Sequence, residues 1–276
     1  GLLGWPVHHS LSPAMQNAAF RALELDWAYL PLAVPPESLP DALAGLKALG
    51  FRGANVTIPH KETVISGLDD LTQEARSLGA VNTLVAAGGR LVGHNTDVAG
   101  FLAALDSANC APIRALVLGA GGAARAAVYA LLSRGVTVTV ANRSPQRAQR
   151  LVSALDLSVP RADACSLDSL ALRDALAHAD LLVNATPAGM WPDVDATPLP
   201  PGAALPAGLT VMDMVYNPLE TLLLRQARQA GALVISGLDM LVHQGAAAFK
   251  LWTGQDAPLL IMRQAALAGL EQRARF

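Results

Sequence analysis

The sequence predicts an α/β protein of two domains. The first is an N-terminal α/β domain, and the second a parallel sheet with helices on both faces. Two C-terminal helices then return to the first domain. Three observations carry this. The chain is 276 residues long, enough for two cores. From about residue 100, β-type runs alternate with helical patterns, the signature of βαβ units. And Arg114-Ala-Leu-Val-Leu-Gly-Ala-Gly-Gly-Ala-Ala124 carries an apolar strand into clustered glycines ahead of an alanine-rich helix.

In the first half, Ser12-Pro13 opens a helix, with proline at its first helical position. Residues 28–33 read as a strand, and residues 36–49 as an amphipathic helix ending at Gly50. Residues 53–58 read as a strand stopped by Pro59, and residues 80–86 and 90–93 as a hairpin around Gly88-Gly89. This half has α/β character but no G-x-G-x-x-G/A pattern after a strand. In the second half, strands are expected at residues 115–118, 136–141, 180–184, 209–213 and 232–235, with helices between several of them. The proline-rich segment 197–206 is a loop. Residues 238–275 read as two helices broken near Thr253-Gly254. The second domain already has enough strands, so these helices are assigned to the first. The expected boundaries are residues 1–99 plus 239–276, and residues 100–238, with a cleft between the domains as a natural ligand site.

Apolar residues make up 52% of the chain, charged residues 15%, and the net charge is −2. No basic block or arginine stripe supports nucleic-acid binding. Cys110 and Cys165 have neither metal nor redox spacing, so they read as packing residues suited to a reducing cytoplasm. The histidines show no metal-ligand spacing, and no metal is expected. Residues 115–132 form a long apolar tract, but Arg125 and three glycines mark it as strand plus helix rather than a membrane span. The chain opens on Gly1-Leu-Leu-Gly-Trp-Pro with no charged n-region and no initiator Met, so a few further N-terminal residues are expected.

Gly119, Gly121 and Ala124 match the G-x-G-x-x-G/A fingerprint of a Rossmann-type dinucleotide-binding turn. The first glycine permits the turn, the second lets backbone approach a pyrophosphate, and the small third residue lets helix and strand pack closely. The pyrophosphate sits on free N–H groups at the helix start. The alternative is a tight strand-to-helix turn without a ligand. About 20 residues further on, an NAD site usually carries a carboxylate for the ribose 2′-hydroxyl. Here the chain reads Asn142-Arg143-Ser144-Pro145-Gln146-Arg147. No carboxylate repels a 2′-phosphate. Arg143 can fork onto it, Asn142 and Ser144 can donate to it, and Arg147 lies within reach. NADP is therefore expected over NAD; a merely solvated helix start is the alternative.

Other polar clusters sit where strands end. His9-Ser10-Leu11-Ser12-Pro13 sets two hydroxyls beside a helix start, which suits a carboxylate or simple capping by Ser12. The period of two places Asn55 and Thr57 on one strand face, with Lys61 just past Pro59. Asn82-Thr83 and Asn95-Thr96-Asp97 repeat the pattern. A Lys–Asp pair facing a carbonyl or alcohol can hold and move a proton, although the sequence does not show that Lys61 and Asp97 meet. In the second half, segments 184–190 and 213–218 follow strands, where an open parallel sheet forms its ligand crevice. Met240 and Gln244 lie one turn apart in the segment after the last strand.

Together these motifs resemble the shikimate dehydrogenase family, over nearly the whole chain. The resemblance rests on SLSP at Ser10–Pro13, NVTIPHK at Asn55–Lys61, AVNT at Ala80–Thr83, NTD at Asn95–Asp97, GAGGAA at Gly119–Ala124, NRS at Asn142–Ser144, NATPAGM at Asn184–Met190, DMVYNP at Asp213–Pro218 and the segment Gly237–Gln244. It implies reversible NADPH-dependent reduction of 3-dehydroshikimate to shikimate, in aromatic amino-acid biosynthesis, by a cytoplasmic monomer or homodimer. It implies that Ser10 and Ser12 hold the substrate carboxylate. Asn55, Thr57, Asn82, Asp97, Tyr216 and Gln244 contact the ring hydroxyls or carboxylate, and Lys61 is the acid/base partnered by Asp97. Gly119, Ala120, Gly121, Gly122 and Ala123 cradle the pyrophosphate, and Asn142, Arg143, Ser144 and Arg147 bind the 2′-phosphate and adenosine. Thr186, Met214, Gly237 and Met240 place the nicotinamide. Members often carry His-Asn where this chain has Gln16-Asn17. The competing readings are an NAD-preferring quinate/shikimate dehydrogenase, a catalytically silent NADP-binding regulator, and another two-domain NADP enzyme acting on a small carbonyl substrate.

Overall fold

The computed structural model describes residues 1–155 and 162–273. The chain divides into two compact units, Gly1–Gly100 with Val242–Phe276, and Phe101–Leu241.

The first unit opens with β1 (Leu2–Gly4), α1 (Ser12–Ala22), β2 (Pro31–Ala33), α2 (Leu39–Ala48) and β3 (Gly53–Val56). β4 (Asp70–Leu71), α3 (Gln73–Leu78), β5 (Thr83–Ala87) and β6 (Arg90–His94) follow, and α4 (Asp97–Ser107) starts at its end. The strands form one mixed sheet in the order β2-β1-β3-β5-β6-β4. β1 runs parallel to β2 and β3, whereas β5 is antiparallel to β3 and β6. The strand expected at residues 28–33 is shorter: only Pro31–Ala33 pairs, at the sheet edge, where a residue without an N–H is tolerated. The helix expected from residue 36 begins as a 3-10 turn, Pro36–Ser38. The α-helix starts at Leu39, with Pro40 in its first turn. The hairpin strands shift slightly and turn through Gly88 and Gly89, both at positive φ (59° and 75°), as a two-residue type I′ connection needs. Leu3, Leu43, Ala54, Val56, Leu84 and Leu91 pack the core beneath this sheet.

The second unit contains β7 (Arg114–Leu118), α5 (Gly122–Ser133), β8 (Thr137–Asn142), α6 (Pro145–Ala154), β9 (Ala162–Ser166) and α7 (Leu170–His178). It continues with β10 (Leu181–Asn184), β11 (Thr210–Asp213), α8 (Leu222–Gln229) and β12 (Leu233–Ser236). All six strands are parallel, in the order β12-β11-β10-β7-β8-β9. This is the doubly wound Rossmann arrangement, whose strand order reverses beside the first strand, here β7. The apolar tract over residues 115–132 is β7 and α5, as expected. The edge strand β9 was not expected, because Ala-Asp-Ala-Cys-Ser has no apolar run. Leu116, Leu118, Leu182, Val211, Leu223 and Leu224 share its core.

α9 (Gly237–Thr253) carries the chain back to the first unit, and α10 (Leu259–Arg273) packs against α1. The anchor is Trp252, whose indole N–H donates to the Leu84 carbonyl over 2.9 Å. Gly53 makes this possible, since a Cβ there would collide with both Leu84 O and the indole nitrogen. Among the described residues no helix is long and apolar enough to cross a membrane.

Candidate active site

Lys61 follows β3 by a short turn and Asp97 opens α4. The fold brings them together: Lys61 Nζ lies 2.5 Å from Asp97 Oδ2, with side chains 22% and 11% exposed. Both ends are braced from one stretch of backbone. Val81 N–H donates to the Lys61 carbonyl over 2.8 Å. Asn95 Nδ2 donates to the Ala80 carbonyl, and Asn95 Oδ1 accepts the Asp97 N–H over 3.0 Å. A half-sheltered ammonium held against a carboxylate can give up and retake a proton without rearranging.

Asn82 is oriented by what surrounds it. Its Oδ1 accepts from the Thr96 N–H over 2.7 Å and from the hydroxyls of Thr96 and Thr83. A backbone N–H can only donate, so the atom facing it is the oxygen. Among the described residues nothing accepts from Asn82 Nδ2, which is the donor this network leaves open. Asn55 has the opposite character. Its Nδ2 donates to the Asn82 carbonyl and the Thr83 hydroxyl, and its Oδ1 accepts the buried Tyr29 hydroxyl over 2.7 Å. Burial pushes the Tyr29 phenol well above its ordinary pKa, so it remains a donor. Asn17 in turn clamps the Tyr29 backbone through two hydrogen bonds. Thr57 stands on the half-buried continuation of β3, against Gly4 at the end of β1, with no partner for its hydroxyl among the described residues.

Ser10 and Ser12 meet at the start of α1, where Ser10 Oγ accepts the Ser12 N–H over 3.2 Å. Ser12 does not cap the helix. It is the first helical residue, Leu11 is the cap position, and no side chain caps there. The simple-capping reading of Ser12 is therefore corrected. Gln244 lies on α9, where Gly100 of α4 touches its backbone: a Cβ at Gly100 would fall 2.6 Å from Gln244 Cβ and 2.7 Å from its nitrogen.

In the second unit the turn after β7 has the shape the fingerprint requires. Gly119 adopts φ +113°, and a Cβ there would lie 2.9 Å from the Ala185 carbonyl oxygen. Ala124 is fully buried, which closes helix against strand. Ala120 and Ala123 flank the turn, half-exposed. Gly121 and Gly122 face open space, and no side chain caps α5. The turn therefore presents unpaired N–H groups to a volume that side chains would otherwise fill, which fits a diphosphate. After β8, Asn142 Nδ2 donates to the Ser144 carbonyl and braces the turn into α6. Arg143 and Arg147 are exposed, and neither has an acidic partner among the described residues. This donor set fits a 2′-phosphate.

Thr186 is held from behind. Its N–H and hydroxyl both donate to Asn184 Oδ1, over 3.0 and 2.7 Å. Asn184 Nδ2 donates to Asp213 Oδ1, and Thr221 donates to Asp213 Oδ2 over 2.6 Å. Burial pushes the Asp213 carboxyl up to about 6, against the pull of these hydrogen bonds and of the Val215 N–H. Met214 and Gly237 are adjacent, since a Cβ at Gly237 would lie 2.5 Å from the Met214 carbonyl oxygen. Met240 is buried on α9, and Tyr216 is half-buried in the loop after β11. Ser10, Ser12, Asn55, Thr57, Lys61, Asn82, Asp97 and Gln244 thus belong to the first unit. Tyr216 and the residues expected at the cofactor belong to the second. Sequence reasoning missed Tyr29, Thr221 and Gly100, and it places Thr83, Thr96 and Asp213 within polar segments without giving them a role. For Asp213 a signal existed: a carboxylate ending an apolar parallel strand.

A doubly wound parallel sheet with this glycine turn, and a paired lysine and aspartate in a second α/β unit, define a two-unit nicotinamide-dinucleotide dehydrogenase. Family models match along the chain: the shikimate dehydrogenase substrate binding domain at residues 2–84, shikimate / quinate 5-dehydrogenase at residues 102–190, and the shikimate 5′-dehydrogenase C-terminal domain at residues 237–267. The chain is 52% identical to the shikimate dehydrogenase (NADP(+)) of Symbiobacterium thermophilum, covering 98% of this chain and 94% of that one. It superposes on the shikimate 5-dehydrogenase of Thermus thermophilus, solved in complex with NADP(H) and shikimate, with TM-score 0.88, 44% identity and 98% of each chain covered. It is also similar to the quinate dehydrogenase of Corynebacterium glutamicum in complex with NAD, with TM-score 0.89, 35% identity, and 97% and 98% of the two chains covered. The chain belongs to the shikimate dehydrogenase family.

Proposed function

We propose that the protein is an NADP-dependent shikimate dehydrogenase, interconverting 3-dehydroshikimate and shikimate. The observation that carries this is the Lys61–Asp97 pair, 2.5 Å apart, in the unit that also presents the open Asn82 amide and the Ser10–Ser12 start of α1. The first unit binds the substrate and the second the dinucleotide. When bound, NADPH supplies the hydride for the substrate's carbonyl carbon. Lys61 donates a proton to the carbonyl oxygen as it becomes an alcohol, and its charge stabilises the developing oxyanion. Asp97 orients the ammonium and accepts from a neighbouring hydroxyl. Ser10 and Ser12 hold the carboxylate, while Thr57, Asn82, Tyr216 and Gln244 contact the ring substituents. Asn55, whose amide hydrogens are both engaged within the protein, supports Asn82 and Thr83 from behind.

On the cofactor side, Gly119, Ala120, Gly121, Gly122 and Ala123 cradle the diphosphate. Asn142, Arg143, Ser144 and Arg147 hold the 2′-phosphate and adenosine, and Thr186, Met214, Gly237 and Met240 place the nicotinamide. The test crosses shikimate and quinate with NADP⁺ and NAD⁺ and follows reduced-nicotinamide absorbance. Turnover chiefly with shikimate and NADP⁺ is expected. Preference for quinate or NAD⁺ would move the protein to the quinate/shikimate reading, and binding without turnover to a regulator.

A further inference from the structure

Gln244 is gripped from both sides by residues that have no assigned role. On one side is Gly100, three residues after Asp97 and so on the same face of α4. Glycine is a poor choice inside a helix unless something needs the room. Here the α9 backbone needs it: an added Cβ would sit 2.6 Å from Gln244 Cβ, 2.7 Å from its nitrogen and 2.9 Å from its Cα. Those atoms cannot rotate away, so a side chain at Gly100 must displace the Gln244 backbone itself.

On the other side is Gln16, which is completely buried. It stands four residues after Ser12, on the same face of α1. Gln16 Nε2 donates over 2.9 Å to the carbonyl of Gly245, the residue next to Gln244. Gly245 also keeps that contact close: a Cβ there would lie 3.1 Å from Met15 Cε and 3.5 Å from Gln16 Nε2. Gln16 Oε1 is buried with no partner among the described residues, so this one bond anchors the amide. A buried glutamine with half its amide unpaired is a poor packing residue, which favours a directional role for the half that is paired.

We propose that Gly100 and Gln16 are positioning residues that fix Gln244 relative to Asp97 on α4 and Ser12 on α1. They thereby set the affinity of the first unit for the polyhydroxylated ring carboxylate. The proposal rests on the reading of Gln244 as a substrate contact, so Gln244→Ala is measured alongside. Gly100→Ala and Gln16→Met should each raise KM for shikimate, on the order of tenfold to a hundredfold, with a smaller change in kcat. The calorimetric Kd for NADP⁺ should not change. Gln16→His, which keeps an N–H donor at this position, should retain most of the affinity that Gln16→Met loses. The deciding readout is coupling: Gly100→Ala combined with Gln244→Ala should be no worse than Gln244→Ala alone. If Gly100→Ala fails to fold, Gln16→Met with Gln244→Ala gives the same cycle. Additive effects would overturn the proposal. So would an unchanged KM in Gly100→Ala and Gln16→Met while Gln244→Ala raises it, and the substrate reading would then survive. An unchanged KM in Gln244→Ala would overturn both.

Discussion

Asn184 and Asp213 stand opposite each other at the carboxyl ends of the parallel strands β10 and β11, and the Asn184 amide donates to Asp213 Oδ1 over 2.9 Å. Both are completely buried. The pair links two loops. Asn184 holds Thr186, whose methyl lies against Gly119 of the glycine turn, and Asp213 holds the helix start at Thr221. A buried polar network of this kind fixes loop positions that apolar packing alone leaves free.

The raised pKa of Asp213 gives that network a pH signature. Its folded value is about 6, above the ordinary carboxylate value of 3.8. The folded state therefore binds the proton more tightly than the unfolded chain, and the contribution is present in full only below the unfolded value. It is lost as pH rises through about 6. Relative to Asp213→Asn, the wild type should lose about 1 kcal/mol of stability between roughly pH 5 and pH 8. Urea unfolding of both proteins at the two pH values measures this, and a constant difference would remove Asp213 as the source.

Arg143 should matter for one cofactor only. A forked, charge-assisted contact to the 2′-phosphate is worth about 1.5–3 kcal/mol. Arg143→Ala should therefore raise the Kd for NADP⁺ by about tenfold to a hundredfold and leave that for NAD⁺ nearly unchanged. Titration calorimetry with both dinucleotides tests it; equal losses would show that Arg143 acts on the turn rather than on the phosphate.

Two glycines of one turn should fail differently. Gly119→Ala places a side chain at φ +113° and 2.9 Å from a backbone oxygen, so it should lower stability by roughly 1–3 kcal/mol. Gly121→Ala meets nothing in the protein, so Tm should hold while NADP⁺ binding weakens. Thermal unfolding with and without NADP⁺ separates the two.

Tyr29→Phe removes the donor to Asn55 Oδ1 and leaves a buried acceptor unpaired. A loss of about 1–3 kcal/mol is expected in urea unfolding, because the acceptor's desolvation is no longer offset. No loss would mean that Asn55 finds another donor.

Much of this was legible in the sequence where the signal is local. The glycine turn, the missing carboxylate after β8 and the hairpin at Gly88-Gly89 each depend on a few consecutive residues. The short β1, the two-residue β4 and the polar β9 left no period to read. Lys61 and Asp97 were each picked out, but their meeting spans 36 positions and depends on the braces at residues 80–82. Tyr29 and Gly100 were invisible for the same reason, since each acts through a residue remote in the chain. Asn55 shows the reverse case. The period of two picks out its strand face, but only the network reveals that its amide hydrogens are already engaged.

Lys61 is proposed to move the proton, and steady-state kinetics of Lys61→Met with shikimate and NADP⁺ decide whether it does. Positioned acid/base groups contribute about 10²–10⁴-fold, so kcat should fall at least roughly a hundredfold while KM changes much less. A raised KM with kcat preserved would contradict the claim and make Lys61 a binding residue.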